Sequence, residues 1–440
     1  MPTLLIQNGR VISPADALDA PLDVLVEDGV IRSLAPAGQT PAGAPADEVI
    51  DARGLVVSPG FIDIHVHLRE PGGEVSETLE TGLAAAVAGG FTAVCPMPNT
   101  RPVMDRPESV RWQIERAREI GLARVYPIAA VTLGSEGEAL ADLPALAAAG
   151  AVAFSDDGKP VKTAGLVRAA LEITRGLGAP LIEHCEDSSL SAGGVVNAGP
   201  VADQLGVKGI PRSSEEVCLA RDLVLAAETG AHLHVAHLST ARSVEMVRAA
   251  RARGVQVTAE VTPHHFTLTD EALLRYGTSA QMNPPLRTER DVEAILGALA
   301  DGTIDAIATD HAPHAPELKA RPLGDAPFGV MGLETAFGLA MTYLVHTGRI
   351  SLAGLIRLLS VNPASIIRRP GGRIQLGGPA DLTLFDPNCE RTYSVAESRS
   401  RSRNSPFDGW KLKGAVAATV IAGRVAYRSA SAPRETGHTR

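Results

Sequence analysis

The chain has 440 residues, 45% of them hydrophobic, and Lys+Arg 41 against Asp+Glu 50 gives a formal net charge of −9. That length buries a large core and suits one large domain with a smaller one, while the acidic balance, relieved only by the short SRSRSR stretch at 398–403, argues against a nucleic-acid partner. Cys95, Cys185, Cys218 and Cys389 are widely spaced without a C-x-x-C, so they suggest neither a disulfide framework nor a zinc knuckle, and the chain shows no signal-peptide pattern and no apolar run of about 18 residues; a cytoplasmic setting without a membrane partner is expected.

In chain order, the first 58 residues read as short strands with hairpin turns at Asn8-Gly9 and Asp28-Gly29, dipeptides that accept positive φ. The proline-rich GQTPAGAPAD, 38–47, is expected to be a surface loop. From 59 to 368 apolar strands alternate with amphipathic helices. Strands are expected at 61–67, 91–96, 124–131, 151–154, 180–184, 232–237, 255–260 and 304–309, and helices at 76–89, 107–121, 213–230 and 240–254, the third opening on a Ser213…Glu216 capping box. Eight such units are the signature of a (β/α)8 TIM barrel, whose functional groups gather at the C-terminal ends of its strands. A doubly wound sheet is the alternative, but no G-x-G-x-x-G follows any strand. After 368 the pattern returns to β-rich segments with glycine turns. Residues 1–58 and 369–440 are therefore expected to form one composite β-sandwich domain beside the 59–368 barrel.

The chemistry-bearing residues fall at the expected strand ends. His65 and His67 close the first strand in GFIDIHVHLREPG, two residues apart and so on one side. Asp156 and Asp157 follow the fourth, His184 the fifth, His237 the sixth and Asp310 the eighth. Each alone has an ordinary explanation, a packed histidine or a turn aspartate. On one rim together they point to metal. Four imidazoles and two carboxylates exceed one tetrahedral zinc, and two divalent ions about 3.5 to 4 Å apart sharing a carboxylate would use them all.

The motifs HVHLREPG, CPMPNTRP, AFSDDG, EHCED, VAHLST, EVTPHH, MNPPLR, ATDHAPH and PFGVMGLET occur in that order, followed by GGPADLTLFDP and SRNSPFDGWKLKG. Over essentially its whole length the chain thus resembles the amidohydrolase superfamily, and within it the dihydroorotases of bacterial pyrimidine synthesis. The resemblance implies that His65, His67 and Asp310 hold one zinc and His184 and His237 another, two being favoured over one. Many relatives bridge the metals with a carbamylated lysine; here AFSDDGKPVK resembles the subgroup that bridges with aspartate, favouring Asp157 over Asp156, with Lys159 and Lys162 as the lysine alternatives. It further implies that Arg69, Asn99 and His314 bind the substrate carboxylate, that Asn283 and the backbone near Phe328 and Gly329 meet the ring amides, and that Asp310 also moves the proton; the segment 312–329, rich in Pro and Gly after the eighth strand, itself reads as an active-site loop. The implied substrates are carbamoyl-aspartate and dihydroorotate. A homodimer and association with aspartate carbamoyltransferase are both left open. A hydantoinase, dihydropyrimidinase or allantoinase would share the metal site but usually carries the lysine; a non-catalytic partner subunit of the transcarbamoylase would have lost ligands that this chain retains. His232, His234, His264 and His265 exceed the ligands needed, and Cys185 reads as a packed thiol.

Overall fold

The computed structural model describes residues 3–39 and 46–430, so most of the expected 38–47 loop lies outside the described residues. Both ends of the chain contribute to one hydrogen-bonded sheet. Leu4–Ser13 pairs antiparallel with Leu18–Glu27, which pairs with Val30–Pro36, and Leu4–Ser13 also runs parallel to Glu48–Asp51 and Val56–Pro59. Val56–Pro59 then pairs antiparallel with Leu382–Thr392, and Lys411–Ile421 and Arg424–Arg428 complete the sheet. It is one continuous sheet that curls on itself. Leu4, Ile6, Val24, Val26, Ile31, Leu382, Leu384 and Val420 share a single core cluster.

The Asp28-Gly29 hairpin turn forms as expected, but Asn8-Gly9 makes no turn. It is a bulge inside Leu4–Ser13, with Asn8 at φ 62° and the register shifting between Ile6 and Gly9. Tertiary partners override the dipeptide's turn preference. The Asn8 N–H donates to Asp23 (2.8 Å), its amide donates to Asp51 (3.0 Å), and a Cβ on Gly9 would stand 2.6 Å from Val57 Cγ2.

All eight expected strands of the central region are present and pair in parallel in chain order. They are Phe61–Val66, Phe91–Pro96, a third broken into Arg124–Val125 and Ile128–Ala129, then Ala153–Phe154, Leu181–Glu183, Leu233–Val235, Val257–Val261 and Ala306–Ile307. The last meets the first through a parallel bridge between Val66 and His311, where the His67 N–H donates to the His311 carbonyl (2.8 Å). Ile62, Ile64, Ala93, Cys95, Ala306 and Ala308 form a common inner cluster, whereas Val66 and Leu68 pack outward with helix residues such as Leu79 and Leu83. Side-chain parity therefore changes within the first strand. A pairing irregularity between Asp63 and Val66 accounts for it, and places His65 and His67 on the inner side above Ile62 and Ile64.

The helices start and stop close to the expected positions. Leu79–Ala88 opens on a Thr78 capping box, Pro107–Ile120 has Pro at its first turn and Gly121 in the left-handed region beyond it, and Ala241–Ala252 is capped by Thr240. Ser213–Thr229 differs: its N-cap is Arg212 with no side-chain cap, so the expected Ser213…Glu216 box does not form. The carboxylate of Glu215 instead accepts the backbone N–H groups of Ser239 and Thr240 (3.2 Å each), tying that helix to the end of the sixth strand.

The curled sheet is anchored to the N-terminal end of the parallel strands. Phe61 lies 6.0, 5.4 and 6.1 Å from the rings of Phe91, Phe337 and Phe385, and Phe337 and Phe385 are 4.7 Å apart. Arg124 grips Asp381 with two hydrogen bonds (2.6 and 3.0 Å) beside them. Phe385 is fully buried in this four-ring cluster and joins the two parts of the chain. Phe385→Ala is expected to lower the unfolding free energy by about 3–5 kcal/mol, read from denaturant titration; a loss below 1 kcal/mol would show that the sheet is not coupled to the strands through this cluster.

Candidate metal centre and adjoining cavity

His65, His67 and His184 are each fixed from outside by one ring nitrogen, which decides what the other can do, whereas the buried His237 Nδ1 has no hydrogen-bond partner among the described residues. The His65 Nδ1 lies 2.7 Å from Glu260 Oε1, and a carboxylate oxygen only accepts, so Nδ1 carries the proton. The Nε2 of a neutral His65 ring is then a bare lone pair, 3.3 Å from Asp157 Oδ1 and 3.6 Å from Asp310 Oδ1. His67 repeats the pattern: Nδ1 donates to Asn99 Oδ1 (2.9 Å), leaving Nε2 2.9 Å from Asp310 Oδ1 and 3.5 Å from Asp157 Oδ2. His184 donates through Nε2 to Glu186 Oε2 (2.8 Å), so its Nδ1 faces His237 Nε2 at 2.9 Å and Asp157 Oδ1 at 3.7 Å. His237 Nε2 is 3.6 Å from the same Asp157 oxygen.

The sequence-predicted set His65, His67, Asp157, His184, His237 and Asp310 is thus brought together, with Asp157 touching all four histidines. The acceptors face one another across a buried space, which costs energy unless a cation lies among them. His65 Nε2 and Asp157 Oδ1 have no hydrogen-bond partner, and His65–His67–Asp310 and His65–Asp157–His237 each present three ligand atoms within 4.8 Å of one another. This donor set fits a divalent metal, and the outer anchors Glu260, Asn99 and Glu186 are what a metal-binding imidazole requires. Protonation equilibria register the same field. Burial disfavours charge on His65 and His184, but Asp157 with Glu260 pushes His65 well above its ordinary value, and Asp157 with Glu186 raises His184 to about 10. Burial would raise Asp157 and Asp310, but when the rings carry a second proton the His65 charge and three histidine contacts hold Asp157 well below the carboxylate range, and a hydrogen bond then donated by His67 Nε2 likewise lowers Asp310.

The two aspartates of FSDDG have different surroundings. Asp156 Oδ1 accepts the N–H groups of Val131 (2.9 Å) and Thr132 (3.1 Å), and its other oxygen accepts the Thr132 hydroxyl. Lys159 and Lys162 are exposed and paired with Glu136 and Glu138. Only Asp157 reaches the histidines. Three residues of the region, Arg69, His237 and Asp310, hold φ of 60°, 28° and 45°, a backbone state costing about 1–3 kcal/mol each and characteristic of functional sites.

Beside the cluster lies a cavity of about 300 Å³ lined by every expected contact residue: Arg69, Asn99, Asn283, His314, Phe328 and Gly329, with Asp157 and Asp310 at its base. Asn99 also donates toward Asp157 Oδ2 (3.5 Å), and Asn283 donates to Glu186 (2.8 Å), so both brace the ligand set as well as lining the cavity. The His314 Nε2 is 2.7 Å from the Phe328 carbonyl and 3.3 Å from Arg69 Nη2. It must donate to that carbonyl, so it cannot accept from Arg69. Burial pushes Arg69 down to about 10, still a cation at neutral pH, and among the described residues its only hydrogen bond to a clear acceptor is from Nε to the Pro313 carbonyl (3.2 Å). A half-buried guanidinium with unused donors is a site for an anion. Gly329 contributes differently from expectation: its N–H donates to Gln281 O (2.9 Å) and its carbonyl accepts from Lys319 and Asn404.

Several working residues escape the sequence reading. Glu260 ends the seventh strand on its inner side, and Glu186 stands in EHCED two positions from His184; a carboxylate at an inward strand position was the available signal. Asn404, which donates to the carbonyls of Ala312 and Gly329 and accepts the His314 N–H (3.0 Å each), carries no local signal because its partners are distant in sequence. His234 binds Glu260 (3.1 Å), His232 binds Thr258 (2.8 Å) and His265 binds the Pro284 carbonyl (3.0 Å), all outside the ligand set. Buried Cys185 has its thiol raised well above the ordinary value by the hydrogen bond with Cys218 and by burial, as a packed thiol should. Asp157→Ala is expected to lose most tightly bound divalent metal, measured by mass spectrometry of the purified protein. Asp156→Ala should keep its metal but lose about 1–3 kcal/mol of stability, because two buried N–H groups lose their acceptor; the reverse ranking for metal would move the bridging position to Asp156.

Comparison with known proteins agrees with this geometry. A Dihydro-orotase-like family model matches residues 54–243. A dihydroorotase from Citrifermentans bemidjiense is 49% identical over 97% of this chain and 100% of its own, and one from Pelotomaculum thermopropionicum is 51% identical over 96% and 98%. Among solved structures, an L-hydantoinase (dihydropyrimidinase) from Arthrobacter aurescens superposes with a TM-score of 0.87 at 25% identity, covering 99% of this chain and 98% of that one. A D-hydantoinase from Thermus sp. gives 0.81 at 28%, covering 99% and 97%. With curated relatives of this identity matched over nearly its full length, the chain belongs to the dihydroorotase family.

Proposed function

We propose that the chain is a zinc-dependent cyclic amide hydrolase that interconverts N-carbamoyl-L-aspartate and L-dihydroorotate in pyrimidine (UMP) biosynthesis, and works in the cytoplasm. Among the described residues no helix is long and apolar enough to cross a membrane. In this reading the eight parallel strands close as a (β/α)8 barrel over 59–368, supported by the Val66–His311 bridge, and the curled sheet is a β-sandwich domain of 1–58 and 369–440. His65, His67 and Asp310 are assigned to one zinc, His184 and His237 to a second, and Asp157 to both. Zinc bound there supplies Lewis-acid polarisation of the ring carbonyl and an acidified water.

The observation that carries the substrate is Arg69. Dihydroorotate differs from dihydrouracil by a ring carboxylate, and Arg69 offers a half-buried cation with free donors, beside His314, on the wall of the cavity. A carboxylate there makes charge-assisted hydrogen bonds that a hydantoin cannot. Asn283 and the backbone at Phe328 line the same cavity and meet the ring amide edges. Asp310, kept ionised by the positive charge around it, accepts the proton of the attacking water and delivers it to the leaving ring nitrogen; ring closure runs the same transfer backwards. The fold shared with hydantoinases supports a second reading, hydantoin or dihydropyrimidine hydrolysis, which leaves the Arg69 cation without purpose.

The test is a parallel assay of the metal-loaded protein on dihydroorotate, dihydrouracil, hydantoin and allantoin. Dihydroorotate should be turned over fastest, and Arg69→Met should lower kcat/KM for it by about 30- to 1,000-fold, equivalent to about 2–4 kcal/mol, at unchanged metal content. A preference for hydantoin, or an indifferent Arg69→Met, would overturn the assignment. Asp310→Asn keeps an oxygen ligand but cannot carry a proton, so it should retain metal and lose about 10²- to 10⁴-fold in turnover in both directions. Near-normal turnover in that variant would leave Asp310 as a ligand only.

A further inference from the structure

Lys319 is buried, at 7% exposure, yet has no carboxylate partner among the described residues. Its ammonium has three donors and spends them on three carbonyls: Gln281 (3.3 Å), Pro327 (2.9 Å) and Gly329 (3.1 Å). Its own backbone is held as well, because the Lys319 carbonyl accepts the Thr278 hydroxyl (2.5 Å). Burial without a counter-charge pushes the group down to about 7, the mark of a costly placement. None of the three acceptors belongs to the short Pro316–Lys319 helix. Pro327 and Gly329 flank Phe328, and Gln281 lies two residues before Asn283, so every bond goes to a segment that lines the cavity.

The consequence runs through Phe328. Its carbonyl accepts from His314 Nε2 at 2.7 Å, which fixes the His314 tautomer and prevents that nitrogen from capturing the Arg69 guanidinium. We propose that Lys319 is a positioning residue for the substrate's carboxylate: by pinning the carbonyls on either side of Phe328 and that of Gln281, it holds His314 in place and keeps Arg69 free for the anion. This rests on the reading of the cavity as the dihydroorotate site. A merely structural tie would affect stability alone, whereas a positioning role affects substrate binding.

Lys319→Met removes all three donors, and Lys319→Gln keeps part of the donor capacity without charge. Steady-state kinetics in both directions, metal content and thermal midpoint are to be measured for each, at one pH. The expected result is a KM for both dihydroorotate and carbamoyl-aspartate raised about tenfold or more in Lys319→Met and by less in Lys319→Gln, with kcat within about threefold of the wild type and metal unchanged. Should Lys319→Met not fold, Lys319→Gln alone decides. Folded, metal-loaded variants with unchanged KM, or with a fall in kcat alone, would overturn the proposal, as would failure of both to fold, which would make Lys319 a structural residue. Absence of turnover by the wild type on either substrate would instead overturn the proposed function itself.

Discussion

Six groups that can only repel one another when empty of protons or metal converge at one end of the parallel strands, and the protein is organised around holding them there. Asp157 lies within 3.3 to 3.7 Å of a nitrogen on each of four histidines. What keeps the rings from turning away is a second layer of acceptors: Glu260 behind His65, Asn99 behind His67, Glu186 behind His184. These consume the outer N–H groups and so dictate that the inner nitrogens present lone pairs. The backbone contributes too, through the bulge that re-aims the first strand and the left-handed conformations at His237 and Asp310. A site of this kind lowers stability, and the large apolar interior offsets the cost.

The cavity wall follows a complementary logic. Anion recognition needs a cation that the protein has not already neutralised, and Arg69 is kept so by giving it a carbonyl from Pro313 and a histidine whose nearest nitrogen is committed elsewhere. Asp310 and Asp157 are close enough to influence its charge without forming an ion pair with it. In the proposed centre the same carboxylates thus serve both halves of the site: they would take the cations directly, and they favour the charged form of a half-buried guanidinium at a distance.

Much of this was legible in the sequence because strand alternation and strand-end placement are local rules. The eight strands, the four histidines and Asp310 could be read from apolar runs that end in polar groups, whereas the cavity residues came from the family resemblance and not from any local pattern. Where tertiary partners outweighed local preference, the reading failed. Asn8-Gly9 has turn chemistry, but Asp23 and Asp51 recruit Asn8 into a bulge; Ser213…Glu216 has a capping pattern, but Glu215 beside it serves the end of another strand. SRSRSR reads as a basic run, yet the hydroxyls of Ser398, Ser400 and Ser402 are buried against Glu334, Glu77 and the Ser76 carbonyl. Asn404, Lys319 and Glu260 act through partners distant in sequence or in another strand, and no periodicity records such a pairing.

The antiparallel pairing of Val56–Pro59 with Leu382–Thr392 has a consequence for how the chain reaches this state. A strand formed early in synthesis must wait for more than three hundred later residues before its edge is covered, and the phenylalanine cluster that welds it to the parallel strands is completed only when Phe385 arrives. Loop closure over such a separation is slow, and an uncovered edge is a template for pairing with other chains. A nascent or partly unfolded molecule is therefore exposed at this seam rather than at the metal site, and conditions that favour aggregation during synthesis would act there first.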